Sequence, residues 1–434
     1  MQEEERKLWT EGLDIVRALE KAGHQAYLVG GCVRDWRLDR PLHDIDIATS
    51  ARPEEVMALF ERTLPTGLKH GTVTVMEKGE AFEVTTFRRE ASYSDGRRPD
   101  DVVFVPDIKE DLARRDFTFN AMALGSDERL VDPFGGEDAL RAGVVACVGE
   151  PSERFGEDAL RMLRAIRFAA ELGFELLPDV WEAIVEHRRR LERVAIERVS
   201  SEWDRMISGR GPEQAMHYLF KSGLLKFVKE PLPEAFMRAA ERYRLNGAAW
   251  EWDPWGAPVA DEASLGNLLH LPGLPDADLR WGALLWGMNI GAADVATLMR
   301  ALRISGQRTA RISGIAGFFE RLASRPEQER QAAWVGAVLA LGRSAASDAL
   351  TILEACGYET EAESQWSESM QIATVAELDV KGDELSAYLA KPPGPWVSAA
   401  LRELLERVAS GELPNEKFSL LSAAKALTEG GRHG

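Results

Sequence analysis

Two short stretches decide the fold: Gly30-Gly31-Cys32-Val33-Arg34-Asp35 and, a few residues later, Asp44-Ile45-Asp46-Ile47. The first follows the predicted strand Ala26-Tyr27-Leu28-Val29 and leads into a short predicted helix. Glycines at a strand-to-helix turn let backbone N–H groups approach phosphate oxygens closely, and the helix start favours negative charge. The sequence therefore predicts a phosphate-binding turn at Gly30 and Gly31, to which Arg34 adds a charge-assisted contact.

The second stretch alternates polar and apolar residues, which predicts a strand with one buried face. Asp44 and Asp46 are two residues apart, so their side chains would point to the same face of that strand. Two close carboxylates repel each other, which raises the pKa of one unless a cation lies between them. Mg²⁺ is suited to that place because it prefers oxygen ligands and keeps phosphates and waters as the others. A bare Asp-x-Asp is more often a solvated strand edge, but the double glycine upstream favours a nucleoside triphosphate held against Mg²⁺.

Composition limits the kinds of partner that the chain can have. It has 434 residues with 53 Lys and Arg against 71 Asp and Glu, a formal net charge of −18. This excludes nucleic-acid binding by a diffuse positive surface, so a polyanion would need a local basic site or bridging metal ions. Cys32, Cys147 and Cys356 are too widely spaced for a disulfide framework or a zinc site, which favours a reducing compartment. We find neither a targeting segment nor an apolar run of membrane-spanning length, and we expect a cytoplasmic protein with no membrane partner.

Periodicity predicts an α+β chain with a mixed head followed by helices. Short strands alternate with helices over residues 1–150, and helical periodicity dominates afterwards. We expect a head at 1–150, a helical neck at 151–210, a helical body at 211–345 and a helical tail at 346–434. The Trp-rich stretch at 250–255 fits none of these patterns, and nothing in the sequence distinguishes a monomer from a homodimer.

An arginine-rich stretch at 157–167 is predicted to form one helix. Asp158, Arg161, Arg164 and Arg167 are spaced by three residues, so that neighbours can lie side by side. Cytosine and adenine both present an amino donor beside a ring acceptor, which suits an Asp next to an Arg, whereas uracil and guanine present a carbonyl and a ring N–H. Asp158 with Arg161 would thus accept CTP and ATP and reject UTP and GTP without a template. The alternative is a charged face in solvent.

Together these stretches resemble the signature of class II nucleotidyltransferases, the family of bacterial CCA-adding enzymes and bacterial poly(A) polymerases. The resemblance implies a polymerase-β-like head in which Asp44 and Asp46 hold two Mg²⁺ ions. One ion would activate the 3′-hydroxyl of an RNA end and the other would stabilise the departing pyrophosphate. Glu83, within the predicted strand Phe82-Glu83-Val84, matches the position of a third acid in the family.

Further motifs extend the resemblance along the chain. Arg114-Arg115-Asp116-Phe117-Thr118-Phe119-Asn120 resembles a second motif, which would place Arg115 on the nucleotide and let Asp116 and Asn120 shape the site. The 157–167 stretch resembles the base-reading motif, with Arg164 and Arg167 near the triphosphate. Glu197-Arg198-Val199-Ser200-Ser201-Glu202 resembles a fifth motif that we interpret as helix packing. The loop at 93–100 corresponds to a flexible loop linked to the switch from C to A addition, and the tail resembles that of Bacillus-type enzymes, which implies a grip on the tRNA elbow.

The leading hypothesis is template-independent addition of CCA to the 3′ end of tRNA from CTP and ATP, with two-metal catalysis and release of pyrophosphate. An A-adding enzyme, a CC-adding enzyme and a poly(A) polymerase remain as alternatives within the family. An inactive RNA-binding protein on the same scaffold is the alternative from another class.

Overall fold

The computed structural model describes residues 3–90, 102–246, 268–323 and 329–430. The chain forms two compact units, Met1–Lys229 and Glu230–Gly434. The first combines sheet and helices and the second is helical in its described part, so the predicted α+β class is confirmed. The finer division at 150, 210 and 345 stays a prediction, and both the loop at 93–100 and the Trp-rich stretch lie outside the described residues.

A mixed seven-stranded sheet forms the centre of the N-terminal unit. The strands of this unit are β1 (Ala26–Val29), β2 (Asp46–Thr49), β3 (Thr63–Gly67), β4 (Thr72–Glu77), β5 (Glu80–Thr86), β6 (Arg88–Glu90), β7 (Val102–Phe104), β8 (Ala123–Leu124), β9 (Leu130–Val131), β10 (Val144–Val145) and β11 (Glu175–Leu176). The sheet order is β3-β4-β5-β2-β1-β8-β9, while β6–β7 and β10–β11 form two small pairs. β1 is antiparallel to β2 and β8, whereas β2 and β5 are parallel.

Helices make up the rest of the N-terminal unit. They are α1 (Glu3–Lys21), α2 (Gly31–Arg37), α3 (Pro53–Leu59), α4 (Ile108–Ala113), α5 (Gly136–Ala142), α6 (Pro151–Glu157), α7 (Leu160–Leu172), α8 (Pro178–His187), α9 (Ile196–Ser208) and α10 (Pro212–Ser222). Short 3₁₀ helices follow β3, α4, α8 and α10, at Leu68–His70, Thr118–Asn120, Arg188–Arg193 and Leu224–Phe227. Leu112 of α4 is fully buried in an apolar cluster with Val29, Ala48 and Phe87 of the sheet region. This packing fixes α4, and with it the charged residues that follow.

The C-terminal unit is built from ten described α-helices, with short 3₁₀ helices at Leu268–Gly273 and Val375–Glu377. The α-helices are α11 (Glu234–Asn246), α12 (Ala277–Gly287), α13 (Ala292–Ala301), α14 (Gly306–Ala323), α15 (Arg330–Leu341), α16 (Arg343–Ala355), α17 (Glu361–Ser369), α18 (Gly382–Tyr388), α19 (Pro395–Ala409) and α20 (Lys417–Gly430). The last three share an apolar cluster that includes Leu385, Leu404 and Leu420, each with no exposed surface. None of the helices in the described ranges is long and apolar enough to cross a membrane.

Two predicted elements differ in their bounds. The strand expected from Asp44 begins at Asp46, because its partner β1 pairs Val29 with Asp46 and then turns at Gly30 into α2. The single helix expected at 157–167 is two helices, α6 and α7, with an extended residue at Asp158 (φ −138°, ψ 106°). The Asp158 carboxylate accepts a hydrogen bond from the Leu160 N–H at 3.0 Å, the kind of local bond by which Asp starts a helix.

Candidate active site

A cavity of about 500 Å³ in the N-terminal unit collects most of the predicted site residues. Its walls come from the β1–α2 turn, from β2 and β5, from the segment after α4 and from the break between α6 and α7. The predicted residues in its lining are Gly30, Gly31, Arg34, Asp46, Glu83, Arg115, Asp116, Asn120, Asp158, Arg161 and Arg164. Asp44 and Arg167 are not among the lining residues.

The glycine turn closes tightly against the cavity. Gly30 has φ 76°, a backbone conformation that favours glycine, and α2 begins at the next residue. A Cβ atom at Gly30 would lie 2.8 Å from the Arg115 Nη1 atom and 3.9 Å from the Asp46 Oδ2 atom. Arg34, one turn further on, is buried and its Nη1 donates to the Asn120 Oδ1 atom at 2.8 Å. The predicted strand–glycine–helix turn is therefore present, with a glycine that the geometry requires.

The carboxylates of β2 and β5 lie side by side. Asp46 is opposite Glu83 in the register of these parallel strands. Glu83, predicted from the family resemblance, therefore lies next to Asp46, predicted from the Asp-x-Asp pattern. Asp46 is reached by solvent through the open cavity, but protein surrounds much of it, and this burial raises the pKa of its carboxyl. Arg115 opposes the rise in that pKa, whereas Glu83 and Asp44 add to it. Asp44 thus acts on the site electrostatically from the segment before β2.

The same carboxylates determine whether a metal ion fits. Asp46, Glu83 and Asp44 offer hard oxygen donors, and a divalent cation would stabilise the ionised form of Asp46, whose pKa is raised mainly by burial and further by Glu83 and Asp44. In the described ranges no group of three His, Cys, Asp or Glu side chains is arranged to hold a metal ion by itself. A Mg²⁺ ion here would need further oxygen ligands from a bound nucleotide or water, as Mg²⁺ commonly has.

Asp111, which the sequence patterns did not single out, anchors one wall of the cavity. It is 1% exposed and accepts hydrogen bonds from the Arg114 Nε atom at 3.0 Å and the Arg115 Nη2 atom at 3.3 Å. It also accepts the backbone N–H of Arg88 at 3.2 Å. Burial alone would raise the pKa of Asp111, but Arg114 and Arg115 lower it. Asp111 therefore holds three cavity-lining arginines in place, and the four-residue spacing between Asp111 in α4 and Arg115 just after α4 was a usable signal.

Asp116 joins the head to helix α7. It is buried, and its Oδ2 atom lies 2.6 Å from the Arg164 Nη2 atom, while its Oδ1 atom accepts from Asn120 Nδ2 at 3.2 Å. Burial alone would raise the pKa of this carboxyl, but Arg164 and Arg161 with the Asn120 bond lower it to about 2. Asp116 is thus a firmly ionised carboxylate that orients Arg164 in the cavity wall.

The two residues predicted to read the base share the cavity but are not paired with each other. Asp158 forms a bidentate ion pair with Arg198 of α9, at 2.7 Å and 3.3 Å. Arg161 pairs with Glu157 at 2.6 Å and donates to the Arg114 carbonyl oxygen at 3.0 Å. The prediction that Asp158 and Arg161 lie side by side on one helix is wrong, because the helix breaks at Asp158. Each side chain is instead held by its own partner.

Arg198 was interpreted as a packing residue, but it lines the cavity as well as binding Asp158. Its partner is forty residues away in sequence, so no local spacing reveals the pair. The opposite holds for Arg167, which was predicted to lie near the triphosphate. It is buried in ion pairs with Glu202 and Glu171, each at 2.7 Å, and it braces α7 against α9 instead of lining the cavity.

Comparisons with known proteins agree with this arrangement. A family model described as "Poly A polymerase head domain" matches residues 26–146, one for "Probable RNA and SrmB- binding site of polymerase A" matches 173–236, and one for "tRNA nucleotidyltransferase domain 2" matches 274–424. The chain is 37% identical to a CCA-adding enzyme of Geobacillus stearothermophilus over 94% of both chains. It is 35% identical to one of Lactiplantibacillus plantarum over 96% of both.

A solved structure is similar across the whole chain. It is that of the Bacillus stearothermophilus CCA-adding enzyme in complex with CTP, which matches with a TM-score of 0.78 and 33% identity over 99% of this chain and 98% of that one. The identities and coverage exceed what a shared fold alone would require. The chain therefore belongs to the family of the CCA-adding enzymes.

Proposed function

We propose that this chain adds the nucleotides C, C and A to the 3′ end of tRNA, taking them from CTP and ATP and releasing pyrophosphate. One observation carries the proposal. A single cavity holds the adjacent carboxylates of Asp46 and Glu83 together with the Asp158 carboxylate and the Arg161 guanidinium. The first two groups suit nucleotidyl transfer and the second two suit selection of a base, and the activity needs both in one place.

Mg²⁺ is the metal that the carboxylates fit best. Asp46 and Glu83 would hold it, with Asp44 contributing from the segment before β2, and the nucleotide phosphates would complete its ligands. When bound, Mg²⁺ supplies Lewis-acid stabilisation of the attacking and departing oxygens.

The surrounding residues would orient the triphosphate. Gly30 and Gly31 line the cavity at the start of α2, where phosphate oxygens can approach the backbone, and Arg115 and Arg164 carry positive charge there. Both arginines are fixed by buried carboxylates, Asp111 and Asp116, so their side chains are preorganised and lose little conformational freedom when phosphate binds. Arg34 and Asn120 support the same wall through their mutual hydrogen bond.

Base selection would depend on Asp158 and Arg161. The Asp158 carboxylate can accept a hydrogen bond from the amino group of cytosine or adenine, and Arg161 can donate to the adjacent ring nitrogen. Uracil and guanine would place a carbonyl oxygen against the carboxylate and a ring N–H against Arg161, so that acceptor faces acceptor and donor faces donor. Arg198 and Glu157 hold the two readers in position.

We place the reaction in the cytoplasm. Cys32, Cys147 and Cys356 are free thiols, and the first two are buried, which is typical of proteins from a reducing compartment. The tail is proposed to grip the tRNA elbow, as the resemblance implies.

The decisive experiment compares tRNA transcripts that end before, within and after the CC sequence. Each transcript is incubated with Mg²⁺ and one or both nucleotides, and product lengths are measured on a sequencing gel. We expect addition of only the missing nucleotides, followed by arrest after CCA. Addition of A alone or of CC alone would identify a partial enzyme, unlimited A addition would identify a poly(A) polymerase, and no addition at all would favour the inactive RNA-binding protein.

A further inference from the structure

Arg40 lies in the segment between α2 and β2, outside the cavity lining, and it contacts both α2 and α7. Its Nε atom lies 3.5 Å from the Asp35 Oδ1 atom of α2. Its Nη1 atom donates to the Glu171 carbonyl oxygen at 3.1 Å, and its Nη2 atom donates to the Glu171 Oε1 atom at 3.3 Å. Arg40 thus joins two helices that each contribute to the cavity wall, and we call its contacts with Asp35 and Glu171 the Arg40 bridge.

On the α2 side, the Arg40 bridge reaches the wall that is proposed to bind phosphates. The Asp35 carboxylate accepts hydrogen bonds from the Arg34 Nε and Nη2 atoms, at 3.0 Å and 2.8 Å. Arg34 is buried and lines the cavity together with Gly30 and Gly31. One carboxylate therefore orients Arg34 and Arg40 at the same time.

On the α7 side, the bridge holds the end of the helix that is far from the Asp158 break. α7 has 13 residues and is thus about 20 Å long. Arg161 and Arg164 line the cavity from its first turns, whereas Glu171 lies in its last turn. Carbonyl groups in the last turn of a helix lack a partner within the helix and carry partial negative charge, so a guanidinium there stabilises the helix end. Arg40 therefore binds both the backbone and the side chain of this end of α7.

The two helices also meet at the cavity itself. The Arg34 guanidinium carbon lies 5.1 Å from the centre of the Phe168 ring of α7, and both residues line the cavity. Two contacts resist a rotation that a single contact permits. The Arg40 bridge, added to the contact between Arg34 and Phe168, therefore fixes the orientation of α7 relative to α2.

This orientation matters for a nucleotide bound as proposed, which would contact α2 with its phosphates and α7 with its base. The phosphates fix where the base arrives, so selection of the base depends on the position of α7. We propose that Arg40 is a positioning residue for nucleotide selection, which holds α7 in place relative to the glycine turn without touching the nucleotide. This inference rests on the proposed function for the identity of the nucleotide, but nucleotide binding alone tests it.

The test compares two variants of the full chain that lose the same charge from neighbouring positions. Arg40→Gln removes the bridge, whereas Arg37→Gln removes an ion pair that joins α2 to Glu137 of α5 and leaves α7 untouched. Equilibrium binding of labelled CTP is measured with Mg²⁺, and competition by UTP gives the preference between the two nucleotides. We expect Arg40→Gln to bind CTP about fivefold more weakly and to lose a similar factor of preference over UTP. Arg37→Gln should stay within about twofold of wild type.

Steady-state addition of C to a tRNA transcript lacking CCA separates positioning from a general loss of structure. In Arg40→Gln the KM for CTP should rise by about the same factor as the dissociation constant, while kcat and KM for tRNA stay within about twofold of wild type. Urea unfolding confirms that each variant is folded under the assay conditions.

Two further variants test the bridge as a pair. Glu171→Gln should weaken CTP binding as well, and Arg40→Gln should add little to it, because the contact is already lost. Arg40→Lys keeps the charge but replaces the branched guanidinium by one ammonium, so CTP binding should be intermediate between wild type and Arg40→Gln. These variants also carry the test if Arg40→Gln does not fold.

Unchanged CTP affinity and unchanged preference in folded Arg40→Gln would overturn the proposal. An equal loss in Arg37→Gln, additive losses in the double variant, or wild-type behaviour of both Arg40→Lys and Glu171→Gln would overturn it too. If wild type prefers CTP to UTP and the Arg40→Gln change weakens that preference, but wild type adds no nucleotide to tRNA, the proposed function fails and this inference stands.

Discussion

Two carboxylates of the same cavity, Asp46 and Asp116, are in opposite electrostatic situations. Asp116 is surrounded by Arg164, Arg161 and Asn120, which lower the pKa of its carboxyl to about 2. Asp46 has acidic neighbours, and burial together with Glu83 and Asp44 raises the pKa of its carboxyl in spite of Arg115. Arginines of the protein thus compensate the negative charge of Asp116, whereas the negative charge of Asp46 is not fully compensated.

The difference in charge compensation distinguishes carboxylates with a structural role from carboxylates that are available to bind a ligand. Asp116 and Asp111 are ionised, buried and arginine-bound, so their charge is used to fix the cavity wall. Asp46 and Glu83 lie side by side on β2 and β5, where a divalent cation would relieve their repulsion. We therefore infer that the strand carboxylates Asp46 and Glu83 destabilise the fold until a cation binds, while the arginine-bound carboxylates Asp111 and Asp116 stabilise it.

The largest effect should come from Asp46→Asn. Removing this charge takes away the oxygen donor most central to the proposed metal site, so nucleotide addition should fall by at least about 10³-fold. Steady-state incorporation of labelled CTP into tRNA measures this, with Asp127→Asn, an exposed aspartate of the same unit, as the matched control. Binding of tRNA should be nearly unchanged, and equal loss of binding and activity would point to misfolding.

Asp116→Asn should give the next largest effect, on stability. It leaves the shielded Arg164 without its ionic partner, which typically costs about 3–5 kcal/mol of unfolding free energy. Asp46→Asn should be neutral or stabilising at pH 7, since a carboxyl whose folded pKa is raised is destabilising when ionised. Urea unfolding measures the unfolding free energy of both variants. An Asp46→Asn protein less stable than wild type would contradict the proposed difference between the two carboxylates.

The pH dependence has a definite sign. The pKa of Asp116 falls from 3.8 to about 2 on folding, so its contribution to stability is present above about pH 4 and is lost as pH falls toward 2. The shift corresponds to roughly 2 kcal/mol. Wild type should therefore lose more unfolding free energy than Asp116→Asn between pH 5 and pH 3, and parallel losses would contradict the assignment.

A smaller effect is expected from Arg198→Gln. Without its bidentate partner Asp158 is less firmly oriented, so preference for CTP over UTP should fall by roughly tenfold while addition of C continues. Arg205→Gln on the same helix α9 is the control, because Arg205 is exposed and lies 3.9 Å from Glu202, outside the cavity lining. Unchanged preference in Arg198→Gln would remove Arg198 from base selection.

Local patterns predicted the parts of the site that depend on local geometry. The strand before Gly30, the glycine turn that follows it and the burial of Ile45 and Ile47 follow from short-range spacing. The pair formed by Asp158 and Arg198 depends on how α9 packs against the α6–α7 break, which spacing does not encode. Helical periodicity also hid that break, because an Asp can start a helix as well as lie within one.

The central claim is that Asp46 and Glu83 form the metal-binding site and that the arginine-bound carboxylates do not. Calorimetric titration of Mg²⁺ into the full chain with bound non-hydrolysable CTP tests it most directly, on wild type, Asp46→Asn and Asp116→Asn. We predict that Asp46→Asn weakens Mg²⁺ binding by about tenfold or more, whereas folded Asp116→Asn keeps the affinity within a few-fold. Wild-type affinity in Asp46→Asn would contradict the account.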